Sequence, residues 1–182
     1  HSDGSVSYKH PSEMDGRILA HVENRAAASS DIVSVDPSGG PEKNLTASPT
    51  VDERHPFYNA AVDLVTFHSD ETGDKNVWIA TQDLSRRVQL TFYGKAAQSP
   101  SWSPDGRRLY FVKKLERQAE GEPFYKRQAD IRTLDVPKAL KSLKKQAKER
   151  VRELQSAGAP EAEVASARKA LEDYKFFLER YE

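Results

Sequence analysis

Two periodicities divide the chain. Between residues 18 and 134 apolar and polar side chains alternate in short runs rich in β-branched and aromatic residues, as in Asp31-Ile32-Val33-Ser34-Val35-Asp36 and Asn76-Val77-Trp78-Ile79-Ala80-Thr81, the pattern of half-buried strands. It predicts strands at 18–22, 31–36, 62–68, 76–81, 109–113 and 130–134, with none beyond 136 and no helix longer than two turns between 16 and 112. From Val136 the apolar spacing changes to three and four, first through Leu140, Leu143, Ala147, Val151 and Leu154, then through Val164, Ala167, Leu171, Tyr174, Leu178 and Tyr181. Such stripes predict helices over 138–156 and 161–181. Gly158 supplies the stop after the first, and Pro160 is placed at the first position of the second. Two helices joined by so short a loop should fold back as an antiparallel hairpin.

The strand region repeats itself. Its best-defined unit runs from Ser99 to Val112: a strand ending at Trp102, a turn at Pro104-Asp105-Gly106, and the strand Leu109-Tyr110-Phe111-Val112. Proline presets φ in such a turn and glycine takes the positive φ that a Cβ resists. His55-Pro56-Phe57-Tyr58 with Val65-Thr66-Phe67 matches Ser99-Pro100-Ser101-Trp102 with Leu109-Tyr110-Phe111 at an offset of 44, and Leu45-Thr46 returns as Leu90-Thr91 at 45. Asp15-Gly16-Arg17 matches Asp105-Gly106-Arg107 at 90, which is two periods, and Asp130-Ile131-Arg132-Thr133-Leu134-Asp135 is a third, weaker copy of the strands at 31 and 76. Each period holds about four short strands, the signature of propeller blades. Asn59-Ala60-Ala61-Val62 departs from the pattern where the later copy has Ser103-Pro104-Asp105-Gly106.

The succession Pro100-x-Trp102-Ser103-Pro104-Asp105-Gly106, then Leu109-Tyr110-Phe111, an Ile131-to-Asp135 strand and the Leu-Thr ending resembles the TolB-like (WD-repeat-like) β-propeller repeat. That repeat occurs in bacterial TolB periplasmic proteins and in the propeller domains of tricorn-type and prolyl-oligopeptidase-type peptidases. The resemblance covers residues 5–135 and implies a mainly β fold of about three antiparallel four-stranded blades, followed by the helical hairpin. The expected division is an N-terminal strand or linker at 1–15, partial propeller repeats at 16–135 and the hairpin at 136–182.

Charge and composition narrow the function classes. Basic and acidic residues number 28 each, which gives no overall argument for a polyanionic partner. The absence of cysteine removes disulfides, thiolate metal sites and cysteine nucleophiles, while no apolar run approaches the length of a membrane helix. The first helix carries Lys138, Lys141, Lys144, Lys145, Lys148, Arg150 and Arg152, and the second leans acidic through Glu161, Glu163, Glu172, Asp173, Glu179 and Glu182, so charge pairing between the helices is expected.

Candidate chemistry is sparse. His10, His21, His55 and His68 show no spacing that places two imidazoles on one face and no His-Glu-x-x-His, so no metal site is expected. No G-x-S-x-G elbow or phosphate-cradling glycine loop occurs, so neither catalytic nor cofactor-binding residues are assigned. Trp78, Phe67, Tyr110, Phe111 and Trp102 read as core between blades. The second helix sets Phe176 and Phe177 beside Tyr174, Leu178 and Tyr181, more aromatic surface than one partner helix covers, so these five are the candidate partner-binding residues, docking on the propeller or on another chain.

The functional expectation is a non-enzymatic protein-interaction module, periplasmic or extracellular in a bacterium, without cofactor, nucleic acid or membrane insertion. The alternative is the gating propeller of a tricorn-type or prolyl-oligopeptidase-type peptidase whose catalytic domain lies elsewhere. Three blades are fewer than a closed ring requires. The open ends are therefore expected to be covered by further blades of a longer polypeptide, by a second copy or another subunit, or by the hairpin, in that order, and the isolated chain is not expected to be a stable closed monomer.

Overall fold

A computed structural model describes residues 7–24, 29–94, 96–114 and 129–182. Strands β1 (Tyr8–Met14), β2 (Arg17–Asn24), β3 (Ser29–Val35) and β4 (Lys43–Asn44) form a first antiparallel sheet in chain order. A second repeats the arrangement with β5 (Arg54–Asn59), β6 (Leu64–Ser69), β7 (Asn76–Ala80) and β8 (Arg87–Gln89). The third holds β9 (Ala97–Trp102), β10 (Arg108–Lys114) and β11 (Ala129–Asp135). Helix α1 (Val136–Ser156) starts directly after β11, where the first two sheets continue to a fourth strand, and α2 (Glu161–Glu179) follows it back. Every strand and helix expected from the sequence is present to within two residues at each end.

The second sheet buries both faces because it packs between the other two, and the two apolar clusters show how. Leu19 and Ile32 of the first sheet meet Val65, Phe67 and Trp78 of the second. Leu64, Val77 and Ile79, on the opposite face of the second sheet, meet Trp102, Leu109 and Phe111 of the third. That second cluster also takes in Val136, Leu140, Phe177 and Leu178, so the hairpin seals the contact between the second and third sheets and is not spread over an end of the stack.

Turns lock the same contact. Gly106 sits at φ +67°, and a Cβ there would come within 2.6 Å of a Val62 methyl, so the turn needs glycine both for its backbone and for the close approach. Asn59, at the irregular turn of the second sheet, donates its amide to the Ser103 carbonyl at 3.0 Å and accepts from the Ala61 N–H at 2.9 Å. The departure from the Pro-Asp-Gly pattern thus builds an Asx turn whose side chain also ties two sheets together.

Asp135 caps α1 by accepting from the Lys138 N–H at 2.9 Å. Gly158, at φ +62°, follows the last turn and donates to the Gln155 carbonyl. Pro160 stands one position earlier than expected, as the N-cap residue of α2.

Two expectations fail. Tyr110 is not between sheets: it is well exposed on the outward face of the third sheet, because Leu109 and Phe111 already take the inward positions of β10 and alternation sends Tyr110 the other way. Charge pairing between the helices is absent too. Among the described residues α1 pairs internally, as in Lys145–Glu149 at 3.9 Å and Arg150–Glu153 at 3.7 Å, and so does α2, as in Lys175–Glu172 at 2.6 Å. The apolar stripes face one another, which turns the charged faces outward.

Candidate functional site

The first strands of the three sheets share a backbone irregularity. His10, His55 and Ser99 adopt φ of +51°, +55° and +54°, each is followed by proline, and each lies at a break in strand register. The left-handed residue and the missing proline N–H together form a bulge that turns the side chain before it out of the ladder.

At the first two bulges that side chain is an imidazole. His10 and His55 stand 3.7 Å apart between ring centroids; His10 stacks on His21 at 5.0 Å, and His55 tilts over His68 at 4.9 Å. His21 and His68, on β2 and β6, are almost fully buried, while His10 is exposed. The third bulge closes the row, the Ser99 N–H donating to His68 Nδ1 at 3.2 Å. The four histidines, dispersed in sequence, thus form one column from solvent to core. His10-Pro11 precedes His55-Pro56 by 45 residues, a match that the repeat contained and that spacing rules for metal ligands passed over.

His21, His55 and His68 are neutral near pH 7. Burial, and then the charge that His10 and His55 would share with it, lowers His21 to about 4. Burial likewise lowers His55 to about 4, with His10 and Arg54 adding to it, and His68 to about 3, with His55 and Lys75 adding to it. His21 Nδ1, His55 Nδ1 and His68 Nε2 have no hydrogen-bond partner. The rings lie against one another without converging their nitrogens, and no group of three or more such ligands among the described residues is placed to hold a metal ion.

A second buried titratable group lies beside the link between the first two sheets. The Glu53 N–H donates to the Ser30 carbonyl at 2.9 Å, while its carboxylate is fully buried without a hydrogen bond. Arg87 comes only to 3.5 Å and is shared with Glu71 at 3.1 Å, so burial prevails and pushes the Glu53 carboxyl up to about 7.

The five aromatic and apolar residues assigned to partner binding have definite places. Phe177 and Leu178 are buried in the cluster between the second and third sheets, with Tyr174, Phe176 and Tyr181 packed against it. Tyr181 donates its hydroxyl to the Gly106 carbonyl at 3.2 Å. Phe176 is held by two guanidinium groups, Arg86 at 4.3 Å and Arg180 at 5.3 Å from its ring centre. Asp173, buried beside it, takes Lys169 at 2.8 Å and Arg86 at 3.2 Å. These contacts seat the hairpin on the sheets.

Comparison with known proteins bears on the fold. A putative TolB from Agrobacterium tumefaciens superposes with a TM-score of 0.57 at 20% identity, over 74% of this chain and 47% of that one. The fold is TolB-like. TolB from Acinetobacter baumannii gives 0.53 at 19% identity, over 70% of this chain and 29% of that one. The TolB-like chain thus spans less than half the length of either protein it matches. No family model matches the sequence and no curated protein matches it.

Proposed function

We propose that the chain is a non-enzymatic protein-interaction module of the TolB-like propeller type, acting in the bacterial envelope or secreted space. The observation that carries this reading is the superposition on two TolB structures, joined to a stack of three sheets whose last outward face exposes Tyr110 and Ile131. Packed sheets that end in exposed apolar side chains are built for further contact. The proposed partner is a protein surface or further sheets of the same repeat. The outward-turned basic face of α1 is read as solvated, and nucleic acid is not proposed. Among the described residues no helix is long and apolar enough to cross a membrane.

Two measurements test the reading. Site-specific photo-crosslinking in the cells of origin, with the crosslinker on the turns between strands, should yield discrete adducts with proteins of the envelope fraction. The gene flanking these codons should encode no hydrolase region. A downstream catalytic domain together with an absence of adducts would overturn the module in favour of a peptidase's gating propeller.

A further inference from the structure

The histidine column crosses a boundary between sheets. His10 and His21 belong to the first sheet, His55 and His68 to the second. The shortest approach in the column, 3.7 Å between the rings of His10 and His55, spans that boundary, as does the 5.5 Å between His21 and His55. Neutral imidazoles can lie together there, whereas protonated ones repel one another across the boundary. A proton taken up by a buried ring also lacks an acceptor, because His21 Nδ1, His55 Nδ1 and His68 Nε2 face no partner. Among the described residues the charges around the column are Lys9 on β1, Glu23 on β2, Asp52 and Arg54 about the start of β5, and Lys75 ahead of β7. Neither carboxylate is free to compensate an imidazolium. Glu23 takes Lys9 at 2.7 Å and Arg54 at 3.6 Å, and Asp52 takes Arg54 at 2.7 Å and Lys75 at 2.5 Å. Glu53, tied to Ser30 of the first sheet through its N–H, is the opposing group, since acid removes its charge.

We propose that the column is an acid-operated latch: proton uptake by its imidazoles separates the first sheet from the second, while the contact between the second and third sheets stays closed. The asymmetry follows from what holds each contact. Val136, Leu140, Phe177 and Leu178 of the hairpin enter the cluster between the second and third sheets, and Trp102 and Asn59 add hydrogen bonds across it. No helix residue enters the cluster between the first and second. His68, the ring bonded to the third sheet through the Ser99 N–H, is also the last to take a proton, near 3 against about 4 for His21 and His55. The latch therefore opens before that bond is lost. Two imidazoles that titrate near 6.5 once exposed and near 4 when closed shift the opening equilibrium roughly a hundredfold between pH 7 and pH 5, with allowance for the partly exposed His55. Opening uncovers Leu19, Ile32, Val65 and Phe67, so acid gives the module a contact surface that the closed chain hides. The latch itself does not depend on what the module binds.

Fluorotryptophan incorporated in the full chain tests it, because one tryptophan lies at each contact: Trp78 between the first and second sheets, Trp102 between the second and third. A Trp78→Phe chain assigns the two fluorine resonances. As pH falls from 7 to 3.5, the Trp78 resonance should move to the position of a solvent-exposed indole while that of Trp102 is still unchanged. His10→Gln, at an exposed position, removes one of the repelling charges and should lower the midpoint. His55→Gln should lower it further and make the transition shallower; should that variant fail to fold, His10→Gln decides alone. Movement of both resonances together would mean unfolding as one unit and would overturn the latch. So would a Trp78 resonance that holds to pH 3.5, or a transition indifferent to His10→Gln, which would assign the opening to carboxylates instead. Each of these results leaves the crosslinks at neutral pH, and with them the module reading, untouched.

Discussion

The indole N–H of Trp102 donates to the main-chain carbonyl of Phe57 across 3.1 Å, linking the third sheet to the second. The bond sits at the rim of an apolar cluster, where Trp102 is nearly buried. Trp102→Phe keeps most of the apolar contact and leaves the carbonyl unpaired, so a loss of about 1–3 kcal/mol is expected. Trp102→Ala should cost about 3–5 kcal/mol through the cavity. Urea unfolding of the two variants checks the order; equal losses would mean that the bond contributes nothing.

Gly106→Ala places a Cβ 2.6 Å from a Val62 methyl at φ +67°. A loss above the about 1–2 kcal/mol that a Cβ costs in the left-handed region is expected, since steric overlap adds to backbone strain. Val62→Ala in the same chain relieves the overlap alone. If the double variant is no more stable than the sum of the single effects predicts, the close approach is not what selects glycine.

Folded-state values of about 4 for His21 and His55 and about 3 for His68 lie below the unfolded value of about 6.5. As pH falls below 6.5 the unfolded chain takes up protons that the column refuses. The stabilisation is present in full above that pH and is lost progressively toward pH 4 and 3. Each group contributes at most about 1.4 kcal/mol per pH unit, and the partly exposed His55 less. Glu53 works in the opposite direction: its value of about 7 means stability present below pH 4.5 and lost as pH rises through 7. Urea midpoints should therefore fall on the acid side, His68→Gln should shallow that fall, and Glu53→Gln should remove the loss on the neutral side. An acid limb unchanged in the His68 variant would contradict a neutral, buried His68.

Phe177 is fully buried where the hairpin meets the sheets. Phe177→Ala should cost about 3–5 kcal/mol and lower the helical circular dichroism at the melting point of the sheets. Arg86→Ala removes both one of two cations over Phe176 and one of two partners of buried Asp173, for about 1–3 kcal/mol. Chemical-shift changes in that variant should concentrate in α2; changes confined to the β8 region would argue that Arg86 does not hold the helix.

Much of this architecture was legible because strands and helices each impose a period, and the repeat fixed the number of sheets. What escaped depends on three dimensions. Tyr110 shares the strand composition of its buried neighbours, and only knowledge of which sheets are present on either side separates them. The opposite charge bias of the helices suggested attraction, yet the apolar stripes decide the facing surfaces and leave the charges in water. The histidine column was half visible: the His-Pro pair recurs at the repeat distance, but His21 and His68 join it from other strands by register, which spacing within one strand does not encode. The aromatics of α2 read as a surface needing cover, and the sheets beside them provide much of it.

The left-handed residue before proline at positions 10, 55 and 99 has a consequence for how the chain came to be. Two copies carry histidine and the third serine, and none carries the glycine that such a backbone favours. The three copies have kept a shape, and one of them has a different residue in it. A tandem duplication leaves that mark when descent preserves a bend in the main chain and lets the side chain drift, to an imidazole that joins the column in two copies and to a serine whose main-chain N–H meets His68 in the third. Transplanting the six residues around one bend into another copy would be a test of ancestry as much as of structure.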